Sequence, residues 1–332
     1  MILGLTGKNG AGKGEVARIL MTGGFEYHSL SDAIRLELQS RELEPTRDAM
    51  IDEGRRLRRE HGLDVLARRA AGGFTRGLNQ VVDSIRNPEE VRYLRTLPGF
   101  FLIAVDAPAA VRFKRSVGRA RAGDTMDLAS FEEAERREWA SGDPAAQQLD
   151  ATLALADFTI DNSGDREVLA ASVVRFFQEA AARISPPDWD TYFMAIADVV
   201  AMRSSCVKRH VAAVVVKDRR IISTGYNGTP RGVQNCNQGG CSRCMALVSA
   251  GAALETCVCS HAEENAIVQA AFHGVSLRGT TLYTTFSPCL LCTKLILNAG
   301  IIEVVFGSHY ELPEKTIELL KGAGIKVRQV ER

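Results

Sequence analysis

No run of about eighteen apolar residues occurs in the 332-residue chain, so no membrane-spanning helix is expected. An excess of one charge is missing too, because 41 basic side chains stand against 40 acidic ones for a net charge of +1. Such a balance offers no electrostatic footprint for a long nucleic acid or an anionic membrane surface. A small, self-contained substrate fits it better. The opening MILGLTGKNGAGKG lacks a basic segment followed by a long apolar run, so no signal peptide is expected and the chain reads as soluble and cytoplasmic. Internal repeats and low-complexity tracts are absent. Cysteine is missing from the first 205 residues and then appears eight times, as Cys206, Cys236, Cys241, Cys244, Cys257, Cys259, Cys289 and Cys292. Disulfide frameworks belong mainly to short secreted chains, whereas clustered C-x2-C and C-x-C spacings in a cytosolic chain read as metal ligands. The two halves therefore carry different chemistry.

The length suggests two domains. Apolar strands are predicted at 2–5, 80–83, 100–105 and 158–160, with helical segments between them, including one long helix over 53–71 and another over 167–183. Strands alternating with helices imply a parallel α/β sheet covered on both faces. The prolines of SPPDWD then mark a boundary, giving domains at 1–184 and 190–332 with a linker at 185–189. The second domain opens with a helix over 190–203 whose apolar face is expected to carry Tyr192, Phe193, Ile196, Val199 and Val200. A hairpin turning at Asp218 and Arg219 follows, then a Gly-, Asn- and Cys-rich loop over 225–259, then alternating helices and strands. This too is an α/β layered pattern, with helix N-termini at His261 and Cys289.

Two short segments carry the sharpest chemical signal: His261-Ala262-Glu263 and Pro288-Cys289-Leu290-Leu291-Cys292. C-x2-C on the first turn of a helix turns two sulfurs to one side, and one histidine from another helix completes a three-ligand zinc shell. Three protein ligands leave one tetrahedral position for water, which is the arrangement of a catalytic zinc able to generate hydroxide near neutral pH. Glu263 lies close enough to exchange protons with that water without being a ligand. H-x-E paired with P-C-x2-C is the signature of nucleobase deaminases, in which the glutamate is the general acid/base. Proton accounting has Glu263 carry a proton from water to N3 of a cytosine ring and then assist the departure of ammonia.

CSHAEENAI (259–267), SPCLLCTKLILNAGIIEVVF (287–306), GYNGTPRG (225–232) and DWDTYFMAIADVVAMRSSC (188–206) closely resemble the deoxycytidylate deaminase family. The resemblance covers 188–331. It implies a mixed sheet flanked by helices, and conversion of dCMP to dUMP and ammonia within pyrimidine deoxynucleotide biosynthesis. By the same resemblance His261, Cys289 and Cys292 hold catalytic zinc, Glu263 shuttles protons, and Asn227 and Asn265 contact the nucleotide. Arg203 is the candidate for the 5′-phosphate, since a guanidinium binds phosphate bidentately. Family members include allosteric forms that respond to deoxynucleoside triphosphates and assemble as homo-oligomers. Other cytosine nucleotides such as dCTP remain alternative substrates, and a nucleotide-sensing regulatory protein is the alternative of a different class. An intact proton shuttle argues against the sensor.

The loop cysteines form C-x4-C-x2-C-x12-C, a spacing suited to a structural zinc held by Cys236, Cys241, Cys244 and Cys257. Cys259 is the alternative fourth ligand, and Cys206 is expected to lie outside the cluster as a small buried residue.

Gly7-Lys8-Asn9-Gly10-Ala11-Gly12-Lys13 matches G-x4-G-K between a strand and a helix, the setting of a phosphate-cradling loop. VVDSIRNPEEV (81–91), LIAVDAPAAVRFKRSVGR (102–119) and LADFTIDNSG (155–164) make the N-terminal half similar to dephospho-CoA kinase and nucleoside monophosphate kinases. The resemblance implies nucleoside triphosphate binding with magnesium, Asp83 on the metal side and Arg86 on a phosphate. Gly14 and Glu15 stand where such loops place a hydroxyl that anchors magnesium. Nucleotide binding survives that loss more easily than phosphoryl transfer, so a kinase fold retained for regulation is favoured over an active kinase.

Overall fold

A strand buried on both faces needs apolar side chains at every position, and the first strand, β1 (Ile2–Thr6), is buried throughout. The computed structural model describes residues 1–117, 127–139, 143–246, 252–253, 256–309 and 314–330. The chain divides into two units, Met1–Ser185 and Pro186–Arg332.

In the first unit β1 is followed by α1 (Lys13–Thr22), β2 (Glu26–Ser29), α2 (Leu30–Ser40), α3 (Arg47–His61), α4 (Val65–Ala71) and β3 (Gln80–Asp83). Then come α5 (Pro88–Arg95), β4 (Phe100–Asp106), α6 (Ala109–Val117), α7 (Leu128–Trp139), α8 (Leu149–Leu153), β5 (Phe158–Asp161) and α9 (Arg166–Ala182). All five strands pair in parallel, in the order β2-β3-β1-β4-β5. Leu3, Leu5, Val81, Ile103 and Val105 pack on α1 and α9, whereas Ile2, Val82, Phe100 and Leu102 pack on α2 to α5. This is the doubly covered parallel sheet that the alternation implied. Two elements differ from expectation. The helix over 53–71 is two helices, because Gly62, at φ 99°, turns the chain between α3 and α4. The polar strand EYHS of β2 carries no apolar alternation, and only its pairing with β3 makes it a strand.

The second unit comprises α10 (Trp189–Ala201), β6 (Ala212–Lys217), β7 (Arg220–Tyr226), a 3-10 turn at Cys236–Gln238, α11 (Ser242–Met245) and α12 (Ala262–Phe272). It continues through β8 (Thr281–Phe286), α13 (Leu290–Asn298), β9 (Glu303–Ser308), α14 (Glu314–Gly322) and β10 (Lys326–Gln329). The sheet order is β10-β9-β8-β6-β7, parallel from β10 to β8 and antiparallel across β6. Alternate residues build two cores. Ala213, Val215, Leu282 and Val304 face α12, α13 and α14, while Val214, Val216, Tyr283 and Val305 face α10. Three layers result. The buried face of α10 is Phe193, Met194, Ala197 and Ala201, whereas Tyr192 and Val199 of the expected face are exposed. Small and flexible residues fit the close approach of this helix to the sheet. No described helix is long and apolar enough to cross a membrane.

Candidate active site and cysteine cluster

His261 is the N-cap of α12 and Cys289 the N-cap of α13, so two helix starts meet at one place. The backbone N–H of His261 donates to Glu264 Oε2 at 3.1 Å, which fixes the entry of the chain into α12. Glu264 was not singled out by sequence; its spacing of three from the cap residue was the available signal. Cys289 Sγ accepts the Cys292 N–H at 3.5 Å, the arrangement that aligns both sulfurs of C-x2-C. His261 Nδ1 then lies 3.3 Å from Cys289 Sγ and 3.4 Å from Cys292 Sγ. One nitrogen and two sulfurs converge, all within 4.8 Å of one another.

That donor set fits zinc. A tetrahedral ion with nitrogen about 2.1 Å and sulfur about 2.3 Å away needs donors about 3.5–4 Å apart, and the observed separations approach this. The three donors also perturb one another: the bond from Cys292 and the neighbouring His261 hold the Cys289 thiol down at about 4. The same Cys289 pushes His261 up to about 9 and raises Cys292. Glu263 is 4% exposed, and the loss of water pushes its carboxyl up to about 7. The Cys292 thiol donates to Glu263 Oε2 at 3.6 Å, which aims the carboxyl at the three donors.

The residues from 187 to 308 match the family model for the cytidine and deoxycytidylate deaminase zinc-binding region. The deoxycytidylate deaminase of Schizosaccharomyces pombe is 38% identical over 255 residues, spanning 75% of this chain and 76% of that protein. The chain belongs to the deoxycytidylate deaminase family. The deoxycytidylate deaminase of Saccharomyces cerevisiae is 42% identical over 175 residues, covering 51% of this chain and 55% of that protein. A solved dCMP deaminase of cyanophage S-TIM5 in complex with dCMP and dUMP is 30% identical, covering 44% of this chain and all of that one, with a TM-score of 0.37.

Three further residues, Asn227, Asn265 and Arg203, were expected to meet substrate. Asn227 Oδ1 accepts from Val211 N–H at 2.8 Å and from Ser204 Oγ at 2.7 Å, and Nδ2 donates to Arg209 O at 2.8 Å. Its amide is thus engaged in holding segment 204–211 to the end of β7. Asn265 Nδ2 donates to Tyr226 O at 2.8 Å, tying the first turn of α12 to the same turn. Arg203 is exposed with its guanidinium 5.9 Å from the Tyr226 ring centre. A second cation, missed in the sequence, is Arg209, which lies 4.8 Å from the Phe286 ring centre just before Ser287-Pro288-Cys289. The pair Lys208-Arg209 after Cys206 was its signal.

The loop cysteines gather into a core built of sulfur. All four expected ligands lie in it, but Cys236 and Cys257 do not share a tetrad. One group is Cys241, Cys244, Cys257 and Cys259; the other is Cys206, Cys236, Cys244 and Cys259. Cys206, expected outside, is a full member. It enters because the chain leaving α10 is drawn back by the Ser204–Asn227 bonds.

In the first unit, Gly7, Gly10, Gly12, Lys13 and Gly14 form the turn from β1 into α1. Gly12 has φ 101°, and a Cβ there would lie 2.0 Å from Asn162 Nδ2, so only glycine fits. Lys13 Nζ donates to Gly7 O at 2.7 Å and to Lys8 O at 3.2 Å, curling over the loop. Asp83 ends β3 beside β1, and its carboxylate accepts from the Tyr27 hydroxyl at 3.3 Å. Arg86 donates to Asn9 Oδ1 at 3.0 Å, which brings it to the same loop.

Proposed function

We propose that the C-terminal unit hydrolyses dCMP to dUMP and ammonia. The observation that carries this reading is the buried Glu263 carboxyl directed at the convergent donors His261, Cys289 and Cys292. These three residues would hold zinc, which supplies the Lewis acidity that makes water a nucleophile near neutral pH. Glu263, buried beside these donors, takes a proton from the attacking water and gives it to N3 of the cytosine ring. It then takes the proton of the new C4 hydroxyl and passes it to the amino group, so that the C4 carbonyl of dUMP forms as the C4–N bond breaks and ammonia leaves. Asn265 sets the β7 turn against α12 and Asn227 holds segment 204–211 to that turn, and together they shape the wall that the nucleotide meets. Arg203, beside the Tyr226 ring, is the candidate cation for the 5′-phosphate, with Arg209 a second candidate. Balanced charge over the whole chain suits a mononucleotide better than a polyanion.

The cysteine-rich loop serves as a structural zinc site. The N-terminal unit binds a nucleoside triphosphate, with Gly7 to Gly14 around the phosphates and Asp83 on the side of a magnesium ion. It has a regulatory rather than a phosphoryl-transfer role, because Gly14 supplies no hydroxyl.

Replacing the shuttle tests the deaminase assignment. Glu263→Gln, nearly isosteric, should retain its zinc and fold while losing about 10²–10⁴-fold in kcat for dCMP. Turnover near the wild-type value in a zinc-replete variant would remove Glu263 from the mechanism.

A further inference from the structure

Six cysteines, Cys206, Cys236, Cys241, Cys244, Cys257 and Cys259, pack together as one cluster among the described residues. Within each of its two tetrads every sulfur lies within 4.8 Å of the others, and the tetrads share Cys244 and Cys259. A tetrahedral zinc–sulfur site with bonds of about 2.3 Å needs sulfurs about 3.8 Å apart. The Cys241 and Cys257 sulfurs are 4.0 Å apart. Each tetrad is therefore near the size of a metal shell. Two tetrahedra sharing one edge require six sulfurs, two common and two private to each, and the chain supplies that partition. We propose that this cluster binds two divalent metal ions, zinc in the cell, with Cys244 and Cys259 as bridging thiolates.

A single ion explains less of the structure. Placed in one tetrad, it leaves Cys206 and Cys236 outside the shell; placed in the other, it leaves Cys241 and Cys257 outside. Either pair would be left against metal-bound thiolates. The private sulfurs are also prepared on both sides. Backbone N–H groups of Lys208 and Arg209 point to Cys206, and those of Cys244 and Val258 point to Cys241. One such amide-bonded sulfur belongs to each tetrad. Two divalent ions on six thiolates leave a net charge of −2, the same as one ion on four, so the second ion adds no charge burden.

The four segments joined in this way are the exit of α10, the 3-10 turn, α11 and the strand-like run into His261. Two shared-edge sites cross-link all four, and coordination free energy becomes folding free energy for this loop. Cys259 lies two residues before His261, so the cluster also braces the entry to the active-site helix. The inference rests on the loop being a metal site and adds its nuclearity and bridging residues.

Elemental analysis of wild-type protein expressed with zinc, never exposed to chelator, should give three zinc ions per chain, and two in Cys289→Ser/Cys292→Ser. Cys206→Ser and Cys257→Ser should each lower the count by about one, because each removes a private ligand of a different ion. Should these variants fail to fold, wild-type protein loaded with ¹¹³Cd should show two tetrathiolate resonances besides that of the mixed nitrogen–sulfur site. Two zinc ions per chain, or a single tetrathiolate resonance, would overturn the binuclear cluster and leave one structural zinc. One zinc per chain would overturn both readings of the loop.

Discussion

Asp190, at the start of α10, accepts from the Tyr283 hydroxyl at 2.8 Å and from both terminal nitrogens of Arg328, while Arg328 Nε donates to Glu303 at 2.8 Å. One carboxylate thus fastens a helix to β8 and β10. The Arg328 guanidinium holds the Asp190 carboxyl below its ordinary range. Its folded pKa is lower than its unfolded one, so the native state binds fewer protons and the group stabilises the fold above about pH 4. That contribution disappears as pH falls through the folded pKa. Asp190→Asn should cost about 1–2 kcal/mol at pH 7, and the gap from wild type should shrink below pH 4. Urea unfolding across that range measures it; a gap unchanged at pH 3 would assign the loss to packing. The amides of Asn227 and Asn265 teach a related lesson. Their motifs were legible in the sequence, but which atoms they would bond was not, because the partners lie 16 to 39 residues away.

The site depends on how closely two elements approach. Gly225 of β7 lies against α12, and a Cβ there would fall 2.2 Å from Ala262 O and 2.4 Å from Ala266 N. Backbone cannot yield as a side-chain tip can, so Gly225→Ala must displace the helix that carries His261 and Glu263. A stability loss of about 1–3 kcal/mol is expected from such overpacking, with at least a tenfold fall in kcat for dCMP. Thermal unfolding and turnover measured together check this; wild-type turnover would show that α12 tolerates the shift. At this scale most of the fold was legible, because apolar strands alternate with helices and because H-x-E and P-C-x2-C each stand at a helix start. What escaped is tertiary in origin. β2 is polar and is held by its neighbour β3, and Gly62 breaks what looked like a continuous helix. The sulfur partition could not come from C-x4-C-x2-C-x12-C, since Cys206 precedes Cys236 by an element pair and joins it only in space.

Across the whole molecule, a doubly covered parallel sheet and a deaminase unit are carried by one chain. If the first unit regulates the second, a bound triphosphate must contact active and inactive arrangements with different affinity, because equal affinity shifts nothing. Lys13 curls over its own loop, donating to the carbonyls of Gly7 and Lys8. Lys13→Ala is expected to weaken ATP or dCTP binding at least tenfold by calorimetry, while kcat for dCMP without triphosphate stays unchanged. Efficient phosphorylation of a nucleotide or of dephospho-CoA by the wild-type protein would instead make the first unit a working kinase. The central claim concerns the second unit, and ammonia release by the purified, zinc-replete chain tests it most directly. Over dCMP, dCTP, CMP, deoxycytidine and a single-stranded oligonucleotide, kcat/KM should be highest for dCMP, with dUMP formed in equal amount to ammonia. A folded, zinc-replete protein that releases no ammonia from dCMP, or that prefers the oligonucleotide, would contradict the account.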